Sequence, residues 1–334
     1  MKKRFLDDLR LSKQNQLRLR NVNAIIEDYA SQGYKLTLRQ LYYQLVTKNI
    51  IPNNDKEYAK LSTLLTKGRM AGVVDWDAIE DRIRVPRHTY YNTGIENALD
   101  DAVSSYRLDR MLEQDNYIEL WVEKDALSNV LSKKTKYYHV RLMVNRGYSS
   151  TTAIYDSFKR ISDALNRDQK VNILYLGDHD PSGLDMVRDI RDRLKTMLIA
   201  DYPEDFVENM LEVHHIGLTQ EQIKLHEPPP NPTKVQDPRA DWYINNFGTT
   251  CWEVDALNPK VLHEVIDEKV AQLIDFERFN NVLKKETIDK DVLKGVPMVR
   301  ENYQNIQLAF KKELPKKPKI GDYKKLLEDI EKFI

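Results

Sequence analysis

The chain has 334 residues, 41% of them hydrophobic, enough to bury one large core or two modest ones. No run of eighteen apolar residues occurs and no apolar stretch follows the charged start MKKRFLDDLRLSKQ, so neither a membrane span nor a secretion signal is expected and the cytoplasm is the expected location. The 52 basic and 52 acidic residues cancel, which argues against a general polyanion binder; Cys251 stands alone, so neither a disulfide nor a zinc site is expected.

Charge is unevenly spread along the chain. Residues 1–100 hold 17 Lys+Arg and 12 Asp+Glu, so a basic front precedes an acidic remainder. Residues 21–33 place Ile25, Ile26 and Tyr29 at helical spacing and stop at Gly33. A second helix follows, with Thr37 as N-cap and Leu38, Leu41, Tyr42 and Leu45 on an apolar stripe. After a turn at Pro52-Asn53-Asn54, a third helix buries Tyr58, Leu61, Leu64 and Leu65 and leaves Lys60, Lys67 and Arg69 for DNA. AGVVDWDAI (71–79) reads as a strand and ends in the charged stretch Glu80 to Arg87. Three short helices and a strand describe a winged helix-turn-helix, so residues 1–105 are expected to form a DNA-binding domain.

A charged helical connector at about 95–115 leads to alternating strands and helices. YIELWV (117–122) and HVRLMV (139–144) read as strands, Ser149 and Ser150 open a helix, and KVNILYLG (170–177) is a near-continuous apolar strand. From Gly183, Leu184, Val187, Ile190, Leu194 and Met197 form a helix stripe. The fold class is therefore α/β, with a doubly wound sheet over 106–260 and a mainly helical extension over 261–334. HEPPPNPTKVQDPR (226–239) is expected as an extended surface loop, CWEVDAL (251–257) as a strand entering a turn, and LPKKPKIGDYKKLLEDIEKF as a linker with an amphipathic helix.

Glu123 stands where the first of these strands ends, and Asp178 and Asp180 where the third ends. Ligands bind beyond the carboxyl ends of parallel strands, so the three carboxylates can converge on one crevice. Mg²⁺ takes oxygen donors and leaves room for phosphate oxygens, which points to phosphodiester chemistry, with Mn²⁺ as a substitute. In GDHDPSG, Gly177 permits a tight turn, Pro181 sets the exit, and Ser182 opens a helix whose first amides favour anions. Glu253 and Asp255 can either join the crevice or cap their strand end. Lys124 can contact phosphate or serve as an ordinary surface lysine.

A glutamate directly after an apolar strand, followed about fifty residues on by an apolar strand leading into Asp-x-Asp-Pro-x-Gly, resembles the TOPRIM domain of topoisomerases, primases and related nucleases. The resemblance covers roughly residues 115–200. It implies that Glu123 is a metal ligand or general acid/base and that Asp178 and Asp180 hold Mg²⁺.

In TLRQLYYQL, Arg39 and Tyr43 are four apart and share a helix face, while Tyr42 on the apolar stripe reads as packing. A tyrosine attacking phosphorus needs a nearby cation or metal, because its ordinary pKa is near 10. Arg39, Tyr42 and Tyr43 on a winged helix ahead of TOPRIM resemble the Arg-x-x-[Tyr/Phe]-Tyr run of the topoisomerase VI A subunit and the related meiotic double-strand-break transesterase. WEVDAL is similar to that family's later acidic strand. The resemblance implies a catalytic set of Tyr43, Arg39 and Glu123 cutting double-stranded DNA in association with the nucleoid. It also implies a homodimer in which one protomer's tyrosine faces the other's metal, leaving tyrosine on the 5′ ends. No Walker A run occurs, so ATP-driven strand passage would need a separate ATPase subunit. Two alternatives stay open: a TOPRIM nuclease using water as nucleophile, and a non-catalytic DNA-binding adaptor.

Overall fold

The computed structural model describes residues 4–5, 10–80, 89–233 and 236–294. Three helices open it: α1 (Lys13–Ser31), α2 (Leu38–Thr47) and α3 (Asp55–Met70). Each begins at a polar cap that satisfies an otherwise unpaired amide: Ser12, Thr37 and Asn54. At Thr37 the cap is reciprocal, because Gln40 reaches back to the Thr37 N–H at 2.9 Å. The chain leaves α1 through Gly33 at φ +78°, a left-handed conformation that glycine adopts without strain. Leu19, Val22, Ile25, Leu41, Leu45, Leu61 and Leu64 close a core among the three helices.

The strand expected over 71–79 does not form. Gly72 is left-handed at φ +70°, and Asp75 accepts from the Asp77 N–H at 2.9 Å to nucleate a 3₁₀ turn at Trp76–Ala78. Val74 and Ile79 are buried all the same, so the apolar pattern marked core contact rather than extended backbone. Only single-residue bridges remain, Arg4 with Ala71 and Leu36 with Ile79. Residues 81–88 lie outside the described residues.

Packing divides the described residues into two compact units, those within 1–87 and 109–280 and those within 88–108 and 281–294. In the second, α4 (Ile95–Ser105) corresponds to the expected connector, and Tyr106 donates to Asp289 at 2.8 Å. The tail LPKKPKIGDYKKLLEDIEKF lies outside the described residues.

The rest of the first unit is a mixed α/β body. Strands β1 (Asn116–Val122), β2 (Arg141–Val144), β3 (Lys170–Leu176) and β4 (Leu211–Gly217) form one parallel sheet in the order β2-β1-β3-β4. β2 starts later than its sequence suggests, because His139 takes a left-handed φ of +58° to end α5 (Ser128–Tyr138). β1 and β3 are buried at six successive positions each, the signature of strands covered on both faces. Helices α6 (Thr151–Leu165) and α7 (Pro181–Leu198) cover the face of Tyr117, Trp121, Ile173 and Tyr175. By alternation Ile118, Leu120 and Val122 turn to the other face. There, α5 packs with β2 and with α11 (Pro259–Ala271), which also meets β4.

Beyond α7 come α8 (Glu204–Met210), β4 and α9 (Gln220–His226). The proline segment 226–239, expected as an extended surface loop, contributes one short strand: Pro230–Pro232 forms β5, antiparallel to β6 (Thr250–Trp252), with α10 (Ala240–Phe247) between them. Helix α12 (Phe276–Lys294) follows α11. Among the described residues, no helix is long and apolar enough to cross a membrane.

Candidate functional site

The chain leaves β1 for β2 on one side and returns for β3 on the other, so the carboxyl ends of β1 and β3 flank the reversal point of the sheet. Glu123 and Asp178 emerge there. The Asp178 N–H donates to Glu123 Oε2 at 3.0 Å, and the Val254 N–H donates to Asp178 Oδ1 at 2.8 Å. His179 and Trp252 exchange backbone hydrogen bonds of 2.8 and 3.1 Å, clamping the loop after β3 onto β6. Asp180 caps α7, accepting from the Gly183 N–H at 2.6 Å and from Ser182 Oγ at 2.9 Å. A Cβ at Gly183 would stand 2.2 Å from the Asp178 carbonyl oxygen, so the glycine is required by close backbone approach.

Lys124 is neither a surface lysine nor a free phosphate contact. Its ammonium lies 2.8 Å from Asp178 Oδ2, 2.7 Å from Glu253 Oε2 and 3.0 Å from Asp255 Oδ1. Arg39 reaches the same acids from α2, at 2.5 Å from Glu253 Oε2 and 3.1 Å from Asp255 Oδ2. The Tyr43 hydroxyl donates to Glu253 Oε2 at 2.6 Å, with Arg39 Nη2 3.4 Å away. Tyr42 donates to Asn53 Oδ1 at 2.9 Å and packs in the helical core, the structural role expected for it.

Arg39 and Tyr43 thus meet the acids of their own chain. What places them there is a packed contact between the front helices and the segment after β6. Gln44 Nε2 donates to the Ala256 carbonyl at 3.3 Å, and the Tyr34 hydroxyl lies 2.8 Å from His263 Nδ1. Ala256 belongs to the core of the three helices. Glu253 and Asp255, which could equally have been local caps, are central to the network, because a 3₁₀ turn at Val254–Ala256 directs both toward α2 and Lys124. An acidic i, i+2 pair directly after a short apolar strand was the local sign of them.

A cavity of about 310 Å³ opens on this network, lined by Arg39, Glu123, Lys124, Asp178, Asp180 and Glu253, with Asn231 and Pro232 of β5 also at its wall. Lys60, Lys67 and Arg69 do not line it. Lys60 pairs with Glu57 at 2.7 Å, Lys67 is exposed, and Arg69 lies 4.5 Å over the Trp76 ring and donates to the Trp76 carbonyl. Arg69 is therefore committed to internal packing rather than to an outward DNA contact.

Burial, reinforced by Asp180 and Asp255, raises the Glu123 carboxyl above its ordinary value. Burial also raises Asp178 well above its ordinary value, against the pull of Lys124. Burial would also raise Glu253, but Lys124, Tyr43 and Arg39 outweigh it and bring this carboxyl down to about 2. Burial and the Glu253 hydrogen bond push the Tyr43 phenol well up, with Arg39 opposing.

Glu123, Asp178 and Asp180 share a cavity, yet no three His, Cys, Asp or Glu side chains among the described residues are arranged as a metal cluster. The reason is visible in their partners: Asp178 Oδ2 faces Lys124 and Asp180 caps α7. The donors are hard carboxylate oxygens gathered on one cavity, so the donor chemistry fits a hard divalent cation.

No protein-family model matches the chain, and no curated protein matches it.

Proposed function

We propose that this chain is a DNA strand-cleaving tyrosine transesterase of the topoisomerase VI A type, with a three-helix front and a TOPRIM-like sheet. One observation carries the reading: the Tyr43 hydroxyl and the Arg39 guanidinium meet on Glu253, which Lys124 ties to Asp178, in a hydrogen-bonded network beside the cavity that Arg39, Glu123, Asp178 and Asp180 line. A phenol, two cations and clustered carboxylates are what phosphodiester transfer through tyrosine requires.

Glu123, Asp178 and Asp180 would hold Mg²⁺, or Mn²⁺ in its place, whose contribution when bound is to offset charge on a phosphodiester. Arg39 and Lys124 offer donors to the phosphate oxygens, with Arg39 suited to planar, two-pronged contact. Tyr43 supplies the oxygen that joins phosphorus, leaving a 5′-phosphotyrosyl link and a free 3′ end. Cutting both strands would take two copies, and ATP-driven passage would take a separate ATPase subunit.

Denaturing electrophoresis of labelled duplex DNA after incubation with Mg²⁺ or Mn²⁺ tests this. Label should travel with the polypeptide, and Tyr43→Phe should abolish that adduct. A second reading, a nuclease in which water attacks, is favoured by the burial of Tyr43, 6% exposed, and by its bond to Glu253. Under that reading Tyr43→Phe would still cut DNA in the presence of metal and no adduct would form with either protein.

A further inference from the structure

We infer that Glu253, of the same chain as Tyr43, is the base that takes the phenol proton, and that it is freed for this task when a DNA phosphate draws Arg39 and Lys124 away from it. The inference rests on Tyr43 being the nucleophile. Three donors meet one oxygen, Glu253 Oε2: Tyr43 at 2.6 Å, Arg39 at 2.5 Å and Lys124 at 2.7 Å. A base must lie within hydrogen-bond reach of the proton it removes, and no other carboxylate is recorded in contact with the Tyr43 hydroxyl among the described residues.

Between two cations Glu253 is a poor base, with its carboxyl held down to about 2. Both cations line the cavity, so a phosphodiester entering it meets the donors Glu253 is using. Arg39 and Lys124 turning to phosphate oxygens exchange one anion for another. Glu253 then keeps the Tyr43 hydroxyl while losing the charges that made it weak, and its proton affinity rises. The phenol proton passes to Glu253 Oε2 as the bond between the Tyr43 oxygen and phosphorus forms. The bond from phosphorus to the 3′ oxygen breaks, its electron pair leaves with that oxygen, and solvent supplies the proton that completes the 3′ hydroxyl. In the absence of DNA the same contacts keep the phenol protonated and idle.

Glu253→Gln should therefore change binding and chemistry in opposite directions. Affinity for a labelled duplex oligonucleotide should rise several-fold, with a steeper salt dependence, because Arg39 and Lys124 lose an internal competitor. Single-turnover adduct formation should slow about 100-fold or more, within the range for losing a general base. Glu253→Asp, which keeps the carboxylate on a shorter arm, should recover part of that rate; thermal unfolding of each variant checks that it folds. Adduct formation by Glu253→Gln at the wild-type rate would overturn the inference. So would a joint loss of binding and rate in both variants, the mark of a collapsed pocket. If the wild-type protein binds DNA but forms no adduct, the Tyr43 reading fails and this inference with it.

Discussion

Replacing Lys124 with methionine keeps the length of the side chain and removes its charge. In the wild-type protein this ammonium serves Asp178, Glu253 and Asp255 at 2.7 to 3.0 Å, while Arg39 contacts Glu253 and Asp255. At an effective dielectric constant of about 20, each such pair has a gross attraction of roughly 6 kcal/mol, most of it offset by the desolvation of both partners. Removing one partner of a buried pair leaves the others uncompensated, for a net loss of about 3–5 kcal/mol. In a body of this size that corresponds to a fall in Tm of roughly 6–20 °C. Calorimetry with and without Mg²⁺ measures it. The variant should regain stability on adding Mg²⁺ more strongly than the wild type, because a divalent cation that binds the folded state fills the charge deficit left by the ammonium. A variant that melts within about 2 °C of the wild type, or that responds no more to Mg²⁺, would refute the electrostatic account of the site.

Two further outcomes follow from other parts of the molecule. Gly183→Ala would drive a methyl group against the Asp178 carbonyl oxygen, which a Cβ would meet at 2.2 Å; it should lose about 1–3 kcal/mol in urea unfolding and, with the loop after β3 displaced, most DNA cleavage. Burial, then the neighbouring His179, hold His215 down to about 4. The unfolded chain therefore takes up a proton between about pH 6.5 and 4 that the folded chain refuses, so this contribution to stability is complete above pH 6.5 and is lost as pH falls toward 4, by up to ~3 kcal/mol. Denaturation of wild type and His215→Gln at pH 7 and pH 4.5 isolates it: the difference between them should shrink at the lower pH, and an unchanged difference would show that His215 titrates normally.

How far the sequence could be read depended on whether a feature was local. Thr37 with Gln40, and the apolar stripe behind them, define α2 within one stretch of chain, because capping and helical periodicity involve residues three or four apart. The apolar runs at 117–122 and 171–176 became the two central strands for a similar reason: continuous burial on both faces leaves a continuous apolar record. Residues 71–79 misled because Val74 and Ile79 are buried from a turn, and burial alone does not distinguish a turn from a strand. The prolines of 226–239 concealed β5, since a strand that pairs on one edge can do without some of its amide donors.

Glu123, Asp178 and Asp180 were marked as site residues because strand ends in a parallel sheet point to a common rim, a rule of topology already legible in the alternation of strand and helix. The partners of those residues could not be read in the same way. Lys124 among three carboxylates, Arg39 and Tyr43 on Glu253, and Asp180 turned to its own helix depend on how the front helices pack against the turn after β6, through contacts such as Gln44 with Ala256 and Tyr34 with His263. Local patterning selected the elements and the acids, whereas pairings between residues some 130 to 230 positions apart were decided by side-chain packing and charge balance that exist only once the chain has folded.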